Sequence, residues 1–334
     1  MLENLELSKD SIKIAFIKDP HLRFGFNRPQ GRNGAFETQI LEKINFIENY
    51  CEHHIVDSLV FTGDVLDKKA PSDYSPNQLM MNESIINDLN NIVDTYTIHG
   101  NHDLPFSSIQ MKDKSILNYY MKHGAISPLP CVHGSVKVYG IDYKESIDEN
   151  IKDLEQLHDL MNPDDYNIVV IHQHFAPQIA NNDELSHSSF KRYSSLYHLY
   201  KINSFVFGHL HIGFPTETII NDVSKKQQHF INPWSMTRLS RSYYSVNEKH
   251  IPEMVILNID TKTNTSTVEH VILPHAPYSE AFIVEEMKLN QEFNENLHMF
   301  VQSLTNSSST ENMEAPEKIR DRVNDYLERA KNKE

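Results

Sequence analysis

Short apolar runs recur along the first two thirds of the chain, and each has the length and composition of a β-strand. They are four to six residues long and rich in β-branched and aromatic residues, as buried strands are. Six such runs lie at 12–17, 58–62, 95–98, 136–141, 167–171 and 204–207. We therefore predict six strands in this part of the chain.

Helical patterns lie between several of these runs. Apolar residues recur every three or four positions over 36–51 and again over 151–161, which is the spacing of an amphipathic helix. The second of these helices is expected to open at Ser146, with Glu149 completing a capping box, and Ser75 before a proline predicts the start of a further helix. Alternation of strands and helices predicts an α/β sandwich with a largely parallel sheet.

The pattern changes after position 207. Runs at 229–232, 254–260 and 266–273 have the composition of strands but no helices between them, which predicts a second sheet. We expect the two sheets to form one domain over 11–275.

Three further segments are expected after this domain. Positions 276–304 combine a short apolar run with one helical pattern, which predicts a small α+β capping module. Positions 305–315 are rich in Ser, Thr and Asn and predict a flexible linker, and 316–334 predicts an amphipathic helix. The apolar side of that helix could dock onto its own domain or onto a partner.

The bulk composition fits a water-soluble protein with a substantial core. The chain has 334 residues, of which 39% are hydrophobic, and a mean hydropathy of −0.51. No apolar run approaches the roughly 20 residues that cross a bilayer, and the first ten residues do not resemble a signal peptide. A cytoplasmic protein without membrane contact is therefore expected. The two cysteines, Cys51 and Cys131, are far apart in sequence and are expected to be buried thiols.

The net charge of −15 by itself argues against a nucleic-acid partner, because phosphate contacts favour a basic surface. Most of the negative charge is local. Positions 142–165 carry nine acidic against two basic residues, and 273–334 carry twelve against seven. The rest of the chain is nearly balanced, so the overall charge does not exclude a basic site.

Polar clusters stand directly after five of the predicted strands. In chain order they are Asp19-Pro20-His21, Gly63-Asp64, Gly100-Asn101-His102-Asp103, Ile171-His172-Gln173 and Gly208-His209-Leu210-His211. Carboxyl ends of parallel strands meet at one edge of a sheet, where ligands bind in α/β proteins. Carboxylate, amide oxygen and imidazole are ligands of divalent metals such as Mn²⁺, and a metal pair needs a bridging carboxylate, for which Asp64 is the natural choice.

The spacing and order of these clusters resemble the motifs of the calcineurin-like metallophosphoesterases. The resemblance implies a four-layer α/β/β/α sandwich and two divalent metal ions, with Mn²⁺ favoured over Mg²⁺, Fe²⁺ or Zn²⁺. It assigns one metal to Asp19, His21, Asp64 and His211. It assigns the other to Asp64, Asn101, His172 and His209.

The same resemblance implies a catalytic role for His102, away from the metals. His102 would stabilise the transition state or protonate the departing oxygen, and Asp103 would orient it. Two divalent ions and two carboxylates leave an excess of positive charge that can hold a phosphodiester for in-line hydrolysis without a covalent enzyme intermediate. His99 and His174 do not match ligand positions and are expected to be packed or to support the ligands.

The residues that flank the clusters resemble the nuclease subunit of SbcCD-type double-strand-break repair complexes. The similar segments are 19–28, 63–72, 171–173 and 232–238, although Lys18 stands where that family usually has a small residue. The resemblance implies an Mn²⁺-dependent DNA exonuclease or endonuclease for recombination and repair. It also implies a homodimer that works with an SbcC-like coiled-coil ATPase, for which 316–334 is the candidate docking segment.

Basic residues near the clusters are the candidate DNA contacts. They are Arg23, Arg28, Arg32, Lys68, Lys69, Arg238 and Arg241. Phe24 and Phe26 stand among them and could stack on bases. The alternative is that these are ordinary surface charges and that both phenylalanines belong to the core.

Two other functions stay open at this point. One is a phosphodiesterase or phosphatase of the same superfamily that acts on a small molecule or nucleotide, since one site geometry serves many phosphoesters. The other is a metal-dependent scaffold without hydrolytic activity, which the filled ligand positions and His102 make the weaker choice.

Overall fold

Two six-stranded sheets form the centre of the protein. The computed structural model describes residues 9–25, 29, 31–174, 196–239 and 249–283. The predicted linker, the C-terminal helix and most of the capping module lie outside the described residues.

The first sheet has the order β12-β11-β1-β2-β3-β4. Its strands are β1 (Ser11–Ile17), β2 (Ser58–Phe61), β3 (Thr95–Thr97), β4 (Ser127–Pro128), β11 (Glu253–Asp260) and β12 (Thr265–Ile272). Strands β1 to β4 run parallel, whereas β11 pairs antiparallel with β1 and β12 antiparallel with β11. The carboxyl ends of β1, β2 and β3 therefore lie side by side.

The second sheet has the order β5-β6-β7-β8-β10-β9. Its strands are β5 (Cys131–His133), β6 (Val136–Ile141), β7 (Tyr166–His172), β8 (Ser204–Gly208), β9 (Phe214–Ile220) and β10 (Gln227–Asn232). The four central strands are parallel, and β5 and β9 close the two edges as antiparallel strands. The ends of β7 and β8 are neighbours.

Helices cover the outer faces of the sheets. They are α1 (Phe36–His54), α2 (Pro76–Ile92), α3 (Ile116–Lys122), α4 (Ile147–Leu160) and α5 (Tyr278–Ala281). Ser75 caps α2 as predicted, because its hydroxyl accepts from the backbone of Gln78, whose side chain accepts from the backbone of Ser75. The capping box expected at the start of α4 does not form, since the Ser146 side chain makes no capping hydrogen bond.

Three apolar layers confirm the predicted α/β/β/α sandwich. Side chains such as Ile14 from β1 and Ile168 from β7 meet between the sheets. Helices α1 to α3 pack on the outside of the first sheet around Ile17, and Leu154 of α4 packs on the outside of the second sheet near Val169. Because both faces of each sheet are covered, the central strands are apolar throughout, which explains why their sequence runs were so clear.

The later strands differ from expectation. They do not form a sheet of their own: β10 extends the second sheet beside β8, while β11 and β12 extend the first sheet beside β1. Strands β4, β5 and β9 were not predicted. The first two span two and three residues, and β9 mixes half-buried and exposed positions without a buried residue, so none of the three produces an apolar run.

The expectations for the two cysteines and for membrane-spanning helices can be compared with the described residues. Cys51 and Cys131 are buried free thiols, and burial raises the pKa of each to about 12. Among the described helices, none is both long and apolar enough to cross a membrane.

Candidate metal centre

The ends of five strands from both sheets converge on one buried polar site. Strand β1 leads into Asp19 and His21, β2 into Asp64, and β3 into Asn101. From the second sheet, β7 ends at His172 and β8 leads into His209 and His211. Contacts across the sheets join them: the Nε2 atom of His172 lies 3.4 Å from Oδ1 of Asp64 and 3.2 Å from Oδ1 of Asn101.

Asp64 occupies the centre of this site. It belongs to two groups of potential ligands, one with His21 and His211 and the other with His172 and His209, and the ligand atoms of each group lie within 4.8 Å of one another. Asp19 reaches the same site, with its Oδ2 atom 3.7 Å from Nε2 of His211. The structure thus brings together all seven residues that the sequence proposed as ligands. Whether they bind metal stays a prediction.

The donor set fits divalent ions. Asp19 Oδ2 is buried and has no hydrogen-bond partner among the described residues, and such atoms normally find one. Burial lowers the pKa of both His21 and His209 well below the usual value, which favours the neutral imidazole that binds metals. Burial alone would raise the pKa of Asp64, but His172 and His21 outweigh it and hold that pKa well below its ordinary range.

His172 is oriented by the strand next to the site. Its Nδ1 atom lies 2.8 Å from the backbone oxygen of Thr62. A carbonyl oxygen can only accept, so Nδ1 carries the proton and Nε2 faces Asp64 and Asn101. Burial lowers the pKa of His172, but the carboxylates of Asp64 and Asp19 outweigh it and raise the pKa to about 9. The raised pKa concerns a second proton, on Nε2. A metal ion bound by Nε2 would take the place of that proton, and Nδ1 would keep its own.

Four of the candidate ligands have left-handed backbone. The φ angles are 43° at Asp19, 45° at His21, 48° at Asp64 and 80° at His209. Residues other than glycine rarely adopt this conformation, and surrounding contacts must hold them there. Backbone strain of this kind concentrates at functional sites, and here it turns several strand-end side chains toward one point.

The sequence matches the model of one known family over residues 12–213, more than half of the chain. That family is the calcineurin-like phosphoesterases. The chain belongs to this family. No curated protein matches the chain in sequence.

Solved structures that resemble this phosphoesterase have low sequence identity to it. TT1561 of Thermus thermophilus is 11% identical at a TM-score of 0.42, over 77% of this chain and 98% of that one. A 5′-nucleotidase precursor from Thermus thermophilus is 12% identical at a TM-score of 0.43, over 88% and 59% of the two chains. A putative 5′-nucleotidase from Staphylococcus aureus is 15% identical at a TM-score of 0.42, over 85% and 58%. The phosphoesterase thus spans less than two thirds of either nucleotidase chain.

Asp103 does not orient His102 in the phosphoesterase, contrary to expectation. Its carboxylate accepts hydrogen bonds from the backbone of Leu66 at 3.0 Å and Gly100 at 2.9 Å, and so ties together the loops after β2 and β3. Burial and the neighbouring Asp64 raise the pKa of Asp103 to about 8. His102 is held instead by Asp67, whose backbone oxygen lies 2.8 Å from its Nδ1 atom. The motif could not show these contacts, because adjacency of His102 and Asp103 in sequence does not tell which way each side chain points. The Asp103 side chain points toward the backbone nitrogens of Leu66 and Gly100.

Two candidate DNA contacts are buried, and the expectation for them is wrong. The guanidinium of Arg32 donates to the backbone oxygen of Arg238 and to Gln39, and it lies 4.6 Å from the ring centre of Phe282. Arg238 donates to the backbone oxygen of Ala276 and is 2% exposed. Both arginines thus join the loop after β10 to parts of the chain that are distant in sequence.

The other basic candidates differ in position. Arg23 is half-buried and forms an ion pair of 2.7 Å with Asp67, while Lys68 and Lys69 are half-buried in the loop after β2. Arg28 and Arg241 lie outside the described residues, as does Phe26. Phe24 is 1% exposed and belongs to the core, so it cannot stack on a base.

Lys18 is a supporting residue whose role the sequence did not show. It is fully buried, and its Nζ atom donates to Asn232 Oδ1 at 2.6 Å and to the backbone oxygen of Pro233 at 2.9 Å. Burial lowers its pKa to about 8, although Asp19 acts in the opposite direction. Lys18 thereby joins the end of β1 to the loop after β10. The signals in the sequence were its position directly before Asp19 and its departure from the small residue usual there in the family that the chain resembles.

Aromatic contacts around His209 were also missed. The Tyr143 ring lies 5.4 Å from that of His209, and the His174 ring stacks on His209 at 4.0 Å. His99 is buried between Ser115 and Asp142, away from the ligand groups. The expectation that His99 and His174 pack or support rather than occupy ligand positions agrees with these contacts.

Gly100 allows the loop after β3 to approach Asp64 closely. A Cβ atom at this position would lie 2.1 Å from Oδ1 and 2.3 Å from the backbone nitrogen of Asp64, and a backbone atom cannot move aside easily. We therefore expect Gly100→Ala to lower the free energy of unfolding by about 1 to 3 kcal/mol, the usual cost of overpacking, as measured by urea denaturation.

Gly34 provides the matched control for this substitution. A Cβ atom there would meet nothing within 4 Å, so Gly34→Ala is expected to unfold like the wild type. Equal stability of the Gly100→Ala variant would contradict the close approach of the two loops.

Proposed function

We propose that this phosphoesterase is the nuclease subunit of an SbcCD-type complex and hydrolyses DNA phosphodiesters with two divalent ions, Mn²⁺ in the first place. The observation that supports hydrolysis most directly is the membership of Asp64 in two groups of ligands. A bridged pair of divalent ions can stabilise both the attacking and the departing oxygen of an in-line displacement.

The protein's own residues supply orientation and proton transfer. When bound, two divalent ions would polarise the phosphoryl oxygens and activate a water molecule. His102 would protonate the departing oxygen through Nε2, because its Nδ1 atom faces the carbonyl of Asp67 and keeps its proton there. The backbone nitrogen of His102 also donates to Oδ1 of Asp64 at 2.7 Å. This hydrogen bond holds the proposed general acid, His102, next to Asp64, the candidate bridging ligand.

The basic loops beside the site favour a nucleic-acid substrate. Arg23 and Lys68 belong to the loops after β1 and β2, which carry Asp19 and Asp64. DNA binding depends mainly on such phosphate contacts. The burial of Arg32 and Arg238 leaves fewer described basic residues than the sequence suggested, and this reduction keeps a nucleotide or another small diester as the second candidate substrate.

Degradation of linear duplex DNA in the presence of Mn²⁺ tests the proposal. The wild type should degrade the duplex and should also hydrolyse bis(4-nitrophenyl) phosphate. Hydrolysis of the small diester without any cleavage of DNA, even after addition of an SbcC-like ATPase, would reject the nuclease in favour of a small-molecule phosphodiesterase.

Lys68→Gln tests the basic loop directly. Loss of one phosphate contact should weaken DNA binding and reduce the slope of log K against log salt by about 1, while hydrolysis of the small diester stays unchanged. Lys262→Gln is the control, because Lys262 lies far from the site. It comes two residues after Asp260, which pairs with Ser11 at the start of β1, and Asp19 follows the other end of that strand. An equal salt dependence in both variants would contradict a DNA contact by Lys68.

The proposed partners are a second copy of the chain and a coiled-coil ATPase. The candidate docking segment, 316–334, lies outside the described residues, so this part rests on the sequence. Deletion of 316–334 should abolish co-purification with the ATPase and spare hydrolysis of the small diester. Retained co-purification would contradict this assignment.

A further inference from the structure

Phe106 is a large apolar side chain that faces solvent four residues after His102. It is 84% exposed, although Leu104 and Pro105 just before it are buried. It lies in the short 3₁₀ turn Pro105–Ser107, in the loop that follows the Gly100-Asn101-His102-Asp103 cluster.

The backbone of this turn is strained. Phe106 has φ and ψ angles of 58° and 20°, and Ser107 has a φ angle of 53°. Two consecutive residues other than glycine in this region are unusual, and bulky side chains avoid it. The conformation is held by a backbone hydrogen bond of 2.9 Å from Ser107 to Leu104 and by Lys69, whose Nζ atom donates to the Ser107 hydroxyl at 2.6 Å. The fold therefore maintains a conformation that exposes an aromatic ring.

Phe106 belongs to the same loop as His102. Phe106 follows His102 by four residues, so their Cα atoms are at most about 14 Å apart. Lys69 donates to Ser107, and the backbone oxygen of Asp67, two residues before Lys69, accepts from His102. Phe106 and His102 are thus attached to one another by the chain and also through the loop after β2.

We propose that Phe106 stacks on a base of the nucleic acid next to the phosphodiester that is cleaved. This inference rests on the proposed nuclease function and specifies how that site binds its substrate. Aromatic rings beside a phosphate site bind single-stranded nucleic acids by stacking, largely without regard to sequence. Contacts of this kind need an aromatic ring in water near the phosphate site, and Phe106 is solvent-exposed and four residues from His102.

The surroundings of Phe106 favour a base over a protein partner. Of the four residues that follow it, Ser107, Ser108 and Gln110 are polar and at least partly exposed, and Ile109 is half-buried. The centre of a protein interface instead combines several apolar side chains. A single exposed ring, with buried residues before it and mostly polar residues after it, offers one planar surface, which suits one base.

Two oligonucleotides of equal length separate stacking from phosphate binding. One is an ordinary single-stranded DNA, and the other consists wholly of abasic residues. Both are cleaved in Mn²⁺ by the wild type, Phe106→Ala and Phe106→Tyr, and KM and kcat are measured. Because stacking of one base on an aromatic ring changes binding by about tenfold, Phe106→Ala should raise KM for ordinary DNA by about that factor. It should leave kcat nearly unchanged and leave KM for the abasic strand at the wild-type value, whereas Phe106→Tyr should retain wild-type KM on both.

The outcomes distinguish this inference from the function on which it rests. If the wild type cleaves neither strand, the nuclease proposal fails and the stacking proposal fails with it. If the wild type cleaves both strands, the nuclease proposal stands. An unchanged KM of Phe106→Ala for ordinary DNA, or an equal rise for both strands, then overturns the stacking role alone. The unfolding midpoint of each variant should match the wild type, because an exposed ring contributes little to the core.

Discussion

Replacing Asp64 with asparagine is expected to lower the rate of Mn²⁺-dependent phosphodiester hydrolysis by about 10³-fold or more. Asp64 is 1% exposed and is shared by both ligand groups. The variant keeps the shape of the side chain but loses the negative charge that a pair of divalent cations needs between them. Two bound cations contribute several kcal/mol to the transition state, and each 1.4 kcal/mol is a factor of ten in rate. The measurement is kcat/KM on bis(4-nitrophenyl) phosphate across a range of Mn²⁺ concentrations.

Asp148→Asn is the matched control for this substitution. Asp148 is an exposed carboxylate in the first turn of α4, so the variant changes the net charge by the same amount and should keep wild-type activity. An Asp64→Asn variant that retains more than about a tenth of the wild-type rate would show that the reaction does not depend on a shared carboxylate.

Replacing His102 with asparagine is expected to reduce kcat on DNA by about 10²- to 10⁴-fold, the usual contribution of a positioned general acid. The contact between its backbone nitrogen and Asp64 does not depend on the side chain, so the affinity for Mn²⁺ should change little. The effect should be much smaller on bis(4-nitrophenyl) phosphate, because 4-nitrophenolate is a stable leaving group and needs little protonation.

The comparison of the two substrates decides the role of His102. Equal losses on DNA and on the small diester would contradict proton donation to the departing oxygen. Loss of Mn²⁺ binding in the variant would show that His102 is a metal ligand. A ring nitrogen of His102 lies within 4.8 Å of potential ligand atoms of His21 and Asp67, which is compatible with that outcome.

The sequence predicted the architecture where a strand is buried on both faces. Runs such as the one that forms β7 are apolar at every position from Ile168 to Ile171, and composition alone identifies them. It failed where hydrogen bonding to a neighbour defines the strand, as in the two residues of β4, and where a strand has no fully buried residue, as in β9. The assignment of β11 and β12 to the first sheet depends on pairing with β1, which local sequence does not encode.

The candidate site shows the same division. The five strand-end clusters located the site, because ligands bind at the carboxyl ends of parallel strands, and the resemblance to the calcineurin-like metallophosphoesterases selected seven side chains within them. The supporting contacts were not predictable in this way. Asp103 binds backbone nitrogens rather than His102, and Arg32 and Arg238 are buried by residues distant in sequence. The exposure of Phe106 follows from backbone angles that no residue pattern indicates.

The number of metal ions per chain tests the two-metal account most directly. After equilibrium dialysis against Mn²⁺, the wild type should retain two ions per chain, and electron paramagnetic resonance should show them magnetically coupled, as expected for ions about 3.5 to 4 Å apart. Asp64→Asn should lose this coupling, and Asp148→Asn should keep it. A wild-type protein that hydrolyses diesters with a single bound ion, or with two uncoupled ions, would contradict the assignment of Asp64 as the bridge between two metals.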